Sequence, residues 1–168
     1  MAAHIVGERN VVSSGMDMGF DIETVANTLL DAAVAAVPDW VRSSVARVAA
    51  TQGLEIDPEA VDRAADRATA FVAERLGALL RADIDAQRST PLTMLRDAAR
   101  FPVEVLHAAG AAPVQRSDTI RWAFPNDPFE VTPATFADLG DGVHEAGIVW
   151  GAAKASIHLQ RRRAEGLR

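Results

Sequence analysis

Two acid–histidine pairs in this chain have the spacing of metal ligands. Glu104 and His107 lie three residues apart in a predicted helix, and Asp141 and His144 repeat that spacing near the start of the last predicted helix. Residues three apart project from one face of a helix, and Glu-x-x-His pairs of this kind hold the metals of di-iron carboxylate bundles. The four residues define one hypothesis, a metal-dependent or small-molecule-binding helical enzyme.

A simpler interpretation of these residues needs no metal. A di-iron site also requires two further glutamates, and Glu74 supplies one candidate without a partner. Asp141 suits a helix cap, while Glu104 and His107 suit a surface ion pair near the end of a helix. We therefore expect no cofactor and keep the metal site as the alternative.

The sequence contains little evidence of other catalytic mechanisms. The chain has no cysteine, which excludes disulfides, thiolate catalysis and cysteine-ligated zinc. It also lacks a G-x-S-x-G elbow, a phosphate loop and a dinucleotide fingerprint. Whether the protein is an enzyme stays open, with a non-enzymatic function favoured.

Composition limits the classes of partner. The 168 residues suit one domain, and the net charge of −6 disfavours non-specific nucleic-acid binding. The arginines at 161–163 suit the C-terminal end of a helix. No apolar run approaches the ~20 residues that span a bilayer, and the N-terminus lacks the pattern of a secretory signal. We expect a soluble cytoplasmic protein.

Hydrophobic periodicity predicts an all-α fold, an irregular bundle of about five helices. We expect a loose N-terminal arm at 1–20, a single helical domain at 21–163 and a C-terminal tail at 164–168. The predicted helices cover residues 22–37, 38–52, 58–87, 91–109 and 141–163, with a short helix at 133–139.

Prolines and capping residues set the predicted boundaries. Pro38 is expected to end one helix and begin the next, and Pro102 to kink or break its helix because proline removes a backbone hydrogen bond. Asp57-Pro58-Glu59 is a helix start, with a capping carboxylate before a first-turn proline.

A proline- and aromatic-rich wrap is predicted at 111–132, before the last helix. Five of the nine aromatic residues lie between Phe101 and Phe136, so we expect the wrap to be ordered and pinned down by Trp122, Phe124 and Phe129. Its polar residues favour turn chemistry, with Asp118 as a cap. The alternative is a recognition surface on a rigid scaffold.

Two further features lie outside the wrap. Gly147, Gly151 and Ala155 place small residues four apart on the last helix, which favours internal packing, with a homodimer seam as the alternative. Asp83 and Asp85 oppose the dipole at the end of their helix. Ion pairs to Arg81 or Arg88 are the simpler interpretation, and a polar cluster that receives Arg116 or Arg121 is the functional one.

One resemblance accompanies these patterns. The chain resembles a group of uncharacterised all-helical proteins of actinobacteria in DIDAQRSTPLTMLRDAARFPVEVLHAAGAAPVQR, FPNDPFEVTPATFADL and WGAAKA. The resemblance runs from about the second predicted helix to the C-terminus. It implies a recurring domain and no activity, cofactor or partner.

The leading prediction is a non-enzymatic helical adaptor or regulatory protein that binds a protein partner or a second copy of itself, with no membrane involvement and nucleic acid disfavoured. Its surface is predicted along residues 116–136 and the last helix. The predicted partner-binding set is Arg116, Asp118, Arg121, Trp122, Asn126, Asp127, Phe129, Gly147 and Gly151.

Overall fold

The computed structural model describes residues 19–85 and 90–166. Within them the protein is all-helical, as predicted, and no strand is present. Six α-helices and one 3₁₀ helix follow one another in the order α1 Ile22–Gln52, α2 Pro58–Ala82, α3 Pro91–Asp97, α4 Arg100–Ala108, α5 Asp118–Ala123, the 3₁₀ helix Phe136–Asp138 and α6 Asp141–Ala164. The predicted arm lies outside the described residues except for Gly19 and Phe20.

Helix α1 is the centre of the bundle. It packs most extensively against α2, then against α6 and α4. Its buried stripe runs without interruption from Ala26 to Ala49 and joins residues of α2, α4, the wrap and α6 in one hydrophobic cluster. No helix among the described residues is long and apolar enough to cross a membrane.

The predicted break at Pro38 is wrong, because α1 continues through it. An interior proline costs a helix about 3 kcal/mol. Val37, Trp40 and Val41 are buried on either side of the proline, and burying one such side chain is worth about 1.5–3 kcal/mol. Packing of one continuous face therefore outweighs the lost hydrogen bond.

The predicted break near Pro102 is confirmed and lies at Ala98 and Ala99, between α3 and α4. The proline ring excludes a normal helical bond to the carbonyl four residues earlier. The Ala98 carbonyl instead accepts from the amide of Phe101 at 3.1 Å. The tight turn between α3 and α4 therefore accommodates Pro102.

The start of α2 agrees with the prediction from the sequence, and its end does not. The Asp57 carboxylate accepts from the amide of Glu59 at 3.0 Å, and Pro58 occupies the first turn. The helix ends at Ala82 rather than near residue 87. The predicted short helix at 133–139 is a single 3₁₀ turn, Phe136–Asp138.

Candidate protein-binding surface

Helix α5 is a six-residue helix with no buried residue. Its N-cap is Ser117, whose hydroxyl accepts from the amide of Ile120 at 3.3 Å, so the predicted cap at Asp118 is off by one residue. Trp122 is 86% exposed and Ile120 is 39% exposed. Asp118 and Arg121 form a solvent-exposed ion pair at 3.5 Å. The helix presents large apolar side chains to solvent between charged neighbours.

Contacts on both sides of α5 hold it in place. Arg116 donates to the carbonyl of Phe124 at 2.8 Å and so closes the helix into a loop. The guanidinium of Arg96, from α3, lies over the Phe124 ring at 5.4 Å from its centre. Upstream, the side chain of Gln52 accepts from the amide of Ala112 and donates to its carbonyl. The projecting helix is therefore tethered to α1 and α3.

A cleft of about 340 Å³ lies beside α5, between α3 and the chain that follows α5. Its lining includes the charged residues Arg96, Asp97, Arg100 and Asp127, together with Ala123 and Asn126. The Arg100 guanidinium stacks over Phe71 at 4.5 Å from the ring centre. A guanidinium held over an aromatic ring suits a carboxylate or a backbone carbonyl of a bound chain. We call α5 and this cleft together the α5 surface.

Two members of the predicted partner-binding set are buried, so their assignment to a surface is wrong. Phe129 is fully buried, with its ring edge-to-face against His107 at 4.9 Å. Asp127 is 4% exposed and accepts from the amides of Phe129 and Thr132 at 3.2 and 2.6 Å. Both residues stabilise the wrap internally, which matches the turn-chemistry interpretation.

Of the three aromatic residues predicted to pin down the wrap, two do so and one does not. Phe129 is fully buried and Phe124 is half-buried, so both pin the wrap as predicted. Trp122 does not, because it is almost wholly exposed. Arg47 donates to the carbonyl of Glu130 in the wrap at 2.8 Å, and Arg96 donates to the carbonyl of Ala134, just after the wrap, at 2.9 Å.

The predicted pair of glycines on the last helix is split between packing and solvent. Gly147 is buried, and a Cβ there would lie 2.5 Å from Cδ2 of Phe136. It therefore serves internal packing under the 3₁₀ helix. Gly151 is exposed, and an added Cβ would meet no atom within 4 Å. A homodimer seam cannot contain both glycines, because Phe136 of the same chain already covers Gly147.

The candidate metal ligands are not brought together. Glu104 pairs with Arg67 of α2 at 3.2 Å, which is a surface ion pair. His107 lies against Phe129, while Asp141 and His144 occupy the first turns of α6. Among the residues that the structure describes, no group of three or more His, Asp and Glu side chains has the arrangement of a metal site.

The C-terminal end of α2 is capped by α6 rather than by the wrap. Lys154 donates to the carbonyls of Asp83 and Ile84 at 2.6 and 2.8 Å. Arg161 donates to the carbonyl of Asp85 at 2.6 Å and pairs with its carboxylate at 3.5 Å. Desolvation lowers the pKa of Lys154 from its usual range, against the pull of the two aspartates. The polar cluster predicted here thus joins two helices of the bundle.

Five exposed apolar residues are absent from the predicted set: Phe20 before α1, Ile120 on α5, and Ile148, Val149 and Leu159 on α6. The signal for Ile148 and Leu159 was present. The predicted stripe of α6 occupies one face, and apolar residues at the same helical spacing remain on the opposite face. A helix that is apolar on two faces needs a second contact.

Comparisons with protein-family models, with curated proteins and with solved structures found no match for the chain. The resemblance to an actinobacterial group stays a prediction.

Proposed function

We propose that this protein is a non-enzymatic adaptor or regulatory protein that binds another protein through the α5 surface. The observation that carries the proposal is the exposure of Trp122 on a short helix that is tethered at both ends. The cytoplasmic location expected from the sequence belongs to the same proposal.

An exposed tryptophan on an ordered element is a strong candidate for a binding anchor. Tryptophan is enriched among the few interface residues that dominate binding energy. Its large area gives a substantial gain when it enters a partner's pocket. The tethers at Gln52, Arg96 and Arg116 reduce the conformational entropy lost on binding, since the helix is already formed.

The arginines of the cleft beside α5 define the partner further. Arg100 is exposed and stacked on aromatic rings, and Arg96 lines the same cleft. The complementary partner offers an apolar pocket for Trp122 and a carboxylate that reaches Arg100. Asn126 in the cleft wall can bond the backbone of such a chain.

The test is affinity capture from lysate of the native organism, using the full chain as bait. Trp122→Ala removes the anchor, and Val149→Ala is the matched control because it truncates an exposed apolar residue on a different helix. We expect a stoichiometric partner that is lost with Trp122→Ala and kept with Val149→Ala. Equal capture by all three folded baits would place the surface elsewhere.

A purified partner permits a direct readout. The chain has three tryptophans, and Trp40 and Trp150 are buried. Acrylamide quenching of the free protein is therefore dominated by Trp122. We expect the partner to protect Trp122 from quenching, and an Arg100→Glu bait to bind more weakly without losing its fold. Unchanged quenching in the complex would contradict the proposed anchor.

The alternative of a metal-dependent enzyme draws no support from the positions of Glu104 and His107. Its test is elemental analysis of protein purified without tags or chelators. Stoichiometric iron, manganese or zinc would revive it.

A further inference from the structure

Helix α6 carries a second apolar stripe on the face opposite its buried one. The buried face includes Val143, Trp150 and Ala153. The opposite face repeats exposed residues at alternating steps of three and four, which is the spacing of a helix–helix seam. We call these six exposed residues the α6 seam: Glu145, Ile148, Ala152, Ala155, Leu159 and Arg162.

The apolar part of the seam is well exposed. Ile148 is 59% exposed and Leu159 is 51% exposed. The seam from Glu145 to Arg162 extends over about 26 Å of helix axis at 1.5 Å per residue. Alternating apolar residues flanked by charges over that length are typical of a helical interface rather than of a solvated face.

We infer that the α6 seam is the interface of an antiparallel homodimer of this chain. The order of residues along the seam carries the inference, because it is self-complementary when one copy is reversed. The midpoint lies between Ala153 and Lys154. Across a two-fold axis at that point, position 145 faces 162, position 148 faces 159 and position 152 faces 155.

Charge selects the antiparallel orientation. In the reversed pair Glu145 faces Arg162 of the partner subunit at both ends of the seam, which is an opposite-charge contact. A parallel pair would place glutamate opposite glutamate and arginine opposite arginine. Like charges brought together in an interface oppose association. The antiparallel arrangement also gives an isologous, closed interface, as most homodimers have.

Side-chain size agrees with the same arrangement. The two alanines lie at the centre of the seam, and Ile148 and Leu159 lie towards its ends. Two helices that cross at an angle are nearest at the crossing point and separate towards their ends. Small residues at the centre therefore allow a close approach, and larger residues fill the wider space on either side. Gly151 borders the centre and has no atom within 4 Å of an added Cβ.

This dimer is independent of the α5 surface, since no α5 residue belongs to the seam. The two proposals therefore fail separately. Ile120→Lys on α5 is the matched control for Ile148→Lys on α6, because each places one lysine at an exposed isoleucine.

The first experiment is sedimentation equilibrium of the full chain over a range of concentrations, with circular dichroism to confirm folding. We expect twice the chain mass at high concentration and dissociation on dilution. Ile148→Lys should raise the dimer dissociation constant by ~100-fold or more, since two tenfold steps need only about 2.8 kcal/mol. Ile120→Lys should leave it unchanged. A folded wild type that stays monomeric, or an Ile148→Lys dimer of wild-type affinity, would overturn the inference.

Charge reversal tests the orientation. Glu145→Arg and Arg162→Glu should each weaken the dimer about tenfold, and the double variant should recover wild-type affinity because the two charges again face each other. A mixture of the two single variants should form heterodimers in preference to either homodimer. In a parallel dimer the single changes would have little effect and the double variant would recover nothing, so that result rejects the antiparallel register.

Cross-linking gives an independent measure of register. The chain has no cysteine, so introduced cysteines are the only thiols. An equal mixture of Ala152→Cys and Ala155→Cys should oxidise to a mixed disulfide faster than either variant oxidises to its own disulfide. Equal rates for all three products would contradict the proposed facing of positions 152 and 155.

Discussion

Trp122 and Phe129 lie seven residues apart, and the sequence assigns both to one recognition surface. The structure separates them: Phe129 is fully buried and Trp122 is 86% exposed. Gly147 and Gly151 divide in the same way, the first under the Phe136 ring and the second in open space. The predicted partner-binding set thus contains covered residues, which stabilise the fold, and open residues, which are free to bind.

This division shows why residue type and spacing alone could not define the surface. A large aromatic residue serves equally well as an anchor inside the fold or as an anchor for a partner. The difference lies in the neighbours: Phe129 meets His107 of α4, whereas α5 projects with no buried residue. Mutations of covered and open residues should therefore affect stability and binding in opposite proportions.

The largest expected effect is at Phe129. Phe129→Ala should lower the free energy of unfolding by about 3–5 kcal/mol, because it removes a fully buried ring and leaves a cavity beside His107. Urea denaturation followed by circular dichroism measures the change. A loss below about 1 kcal/mol would mean that the wrap does not depend on this anchor.

The second largest loss of stability is expected on mutation of Asp127. Asp127→Ala should cost about 2 kcal/mol, because the amides of Phe129 and Thr132 lose a charged acceptor in a mostly buried site. Asp127→Asn, which keeps one acceptor oxygen, should cost less. Thermal unfolding of the two variants checks the order, and an equal or reversed order would show that the single oxygen kept by asparagine does not hold the wrap.

The two glycines test the division into covered and open residues directly. The same substitution should change the free energy of unfolding in opposite directions at the two positions. Gly147→Ala should destabilise the protein by about 1–3 kcal/mol, because the new methyl group overlaps the Phe136 ring. Gly151→Ala should stabilise the monomer by about 1 kcal/mol through helix propensity. Chemical denaturation at a concentration where the chain is monomeric measures both. The same sign at both positions would contradict the division of α6 into a covered and an open face.

The smallest expected effect on stability is at Trp122. Trp122→Ala should change the free energy of unfolding by no more than about 0.5 kcal/mol, as is usual for an exposed residue. The midpoint of urea denaturation, read by circular dichroism, measures this. Loss of partner capture with an unchanged midpoint would be the signature of an open residue. Unfolding of the variant would instead make Trp122 part of the core and remove the basis of the proposed function.

The sequence predicted correctly those features that depend on interactions between residues close together in the chain. The start of α2 follows from Asp57 and Pro58, because capping depends on residues within one turn. The break between α3 and α4 follows from Pro102, whose ring excludes a normal bond to the Ala98 carbonyl. The all-α class follows from hydrophobic periodicity, which depends on the spacing of neighbouring side chains.

Signals that depend on distant residues could not be read in the same way. Pro38 resembles Pro102 as a helix breaker, yet α1 passes through it because both halves pack on the same core. Glu130 adopts a left-handed backbone conformation with φ of 57°, which is uncommon for glutamate. It lies between the buried Phe129 and Val131, and Arg47 of α1 bonds its carbonyl.

By itself, then, the sequence determined the helical class, the capped start of α2, the break near Pro102 and an ordered aromatic wrap before the last helix. Each depends on interactions within a few residues or on overall composition. Only the tertiary structure decided that α1 is continuous, that Asp127 and Phe129 are internal, and that apolar residues of α5 and of the outer face of α6 are exposed to solvent. These outcomes depend on which helix lies against which, and that is set by burial summed over the whole core.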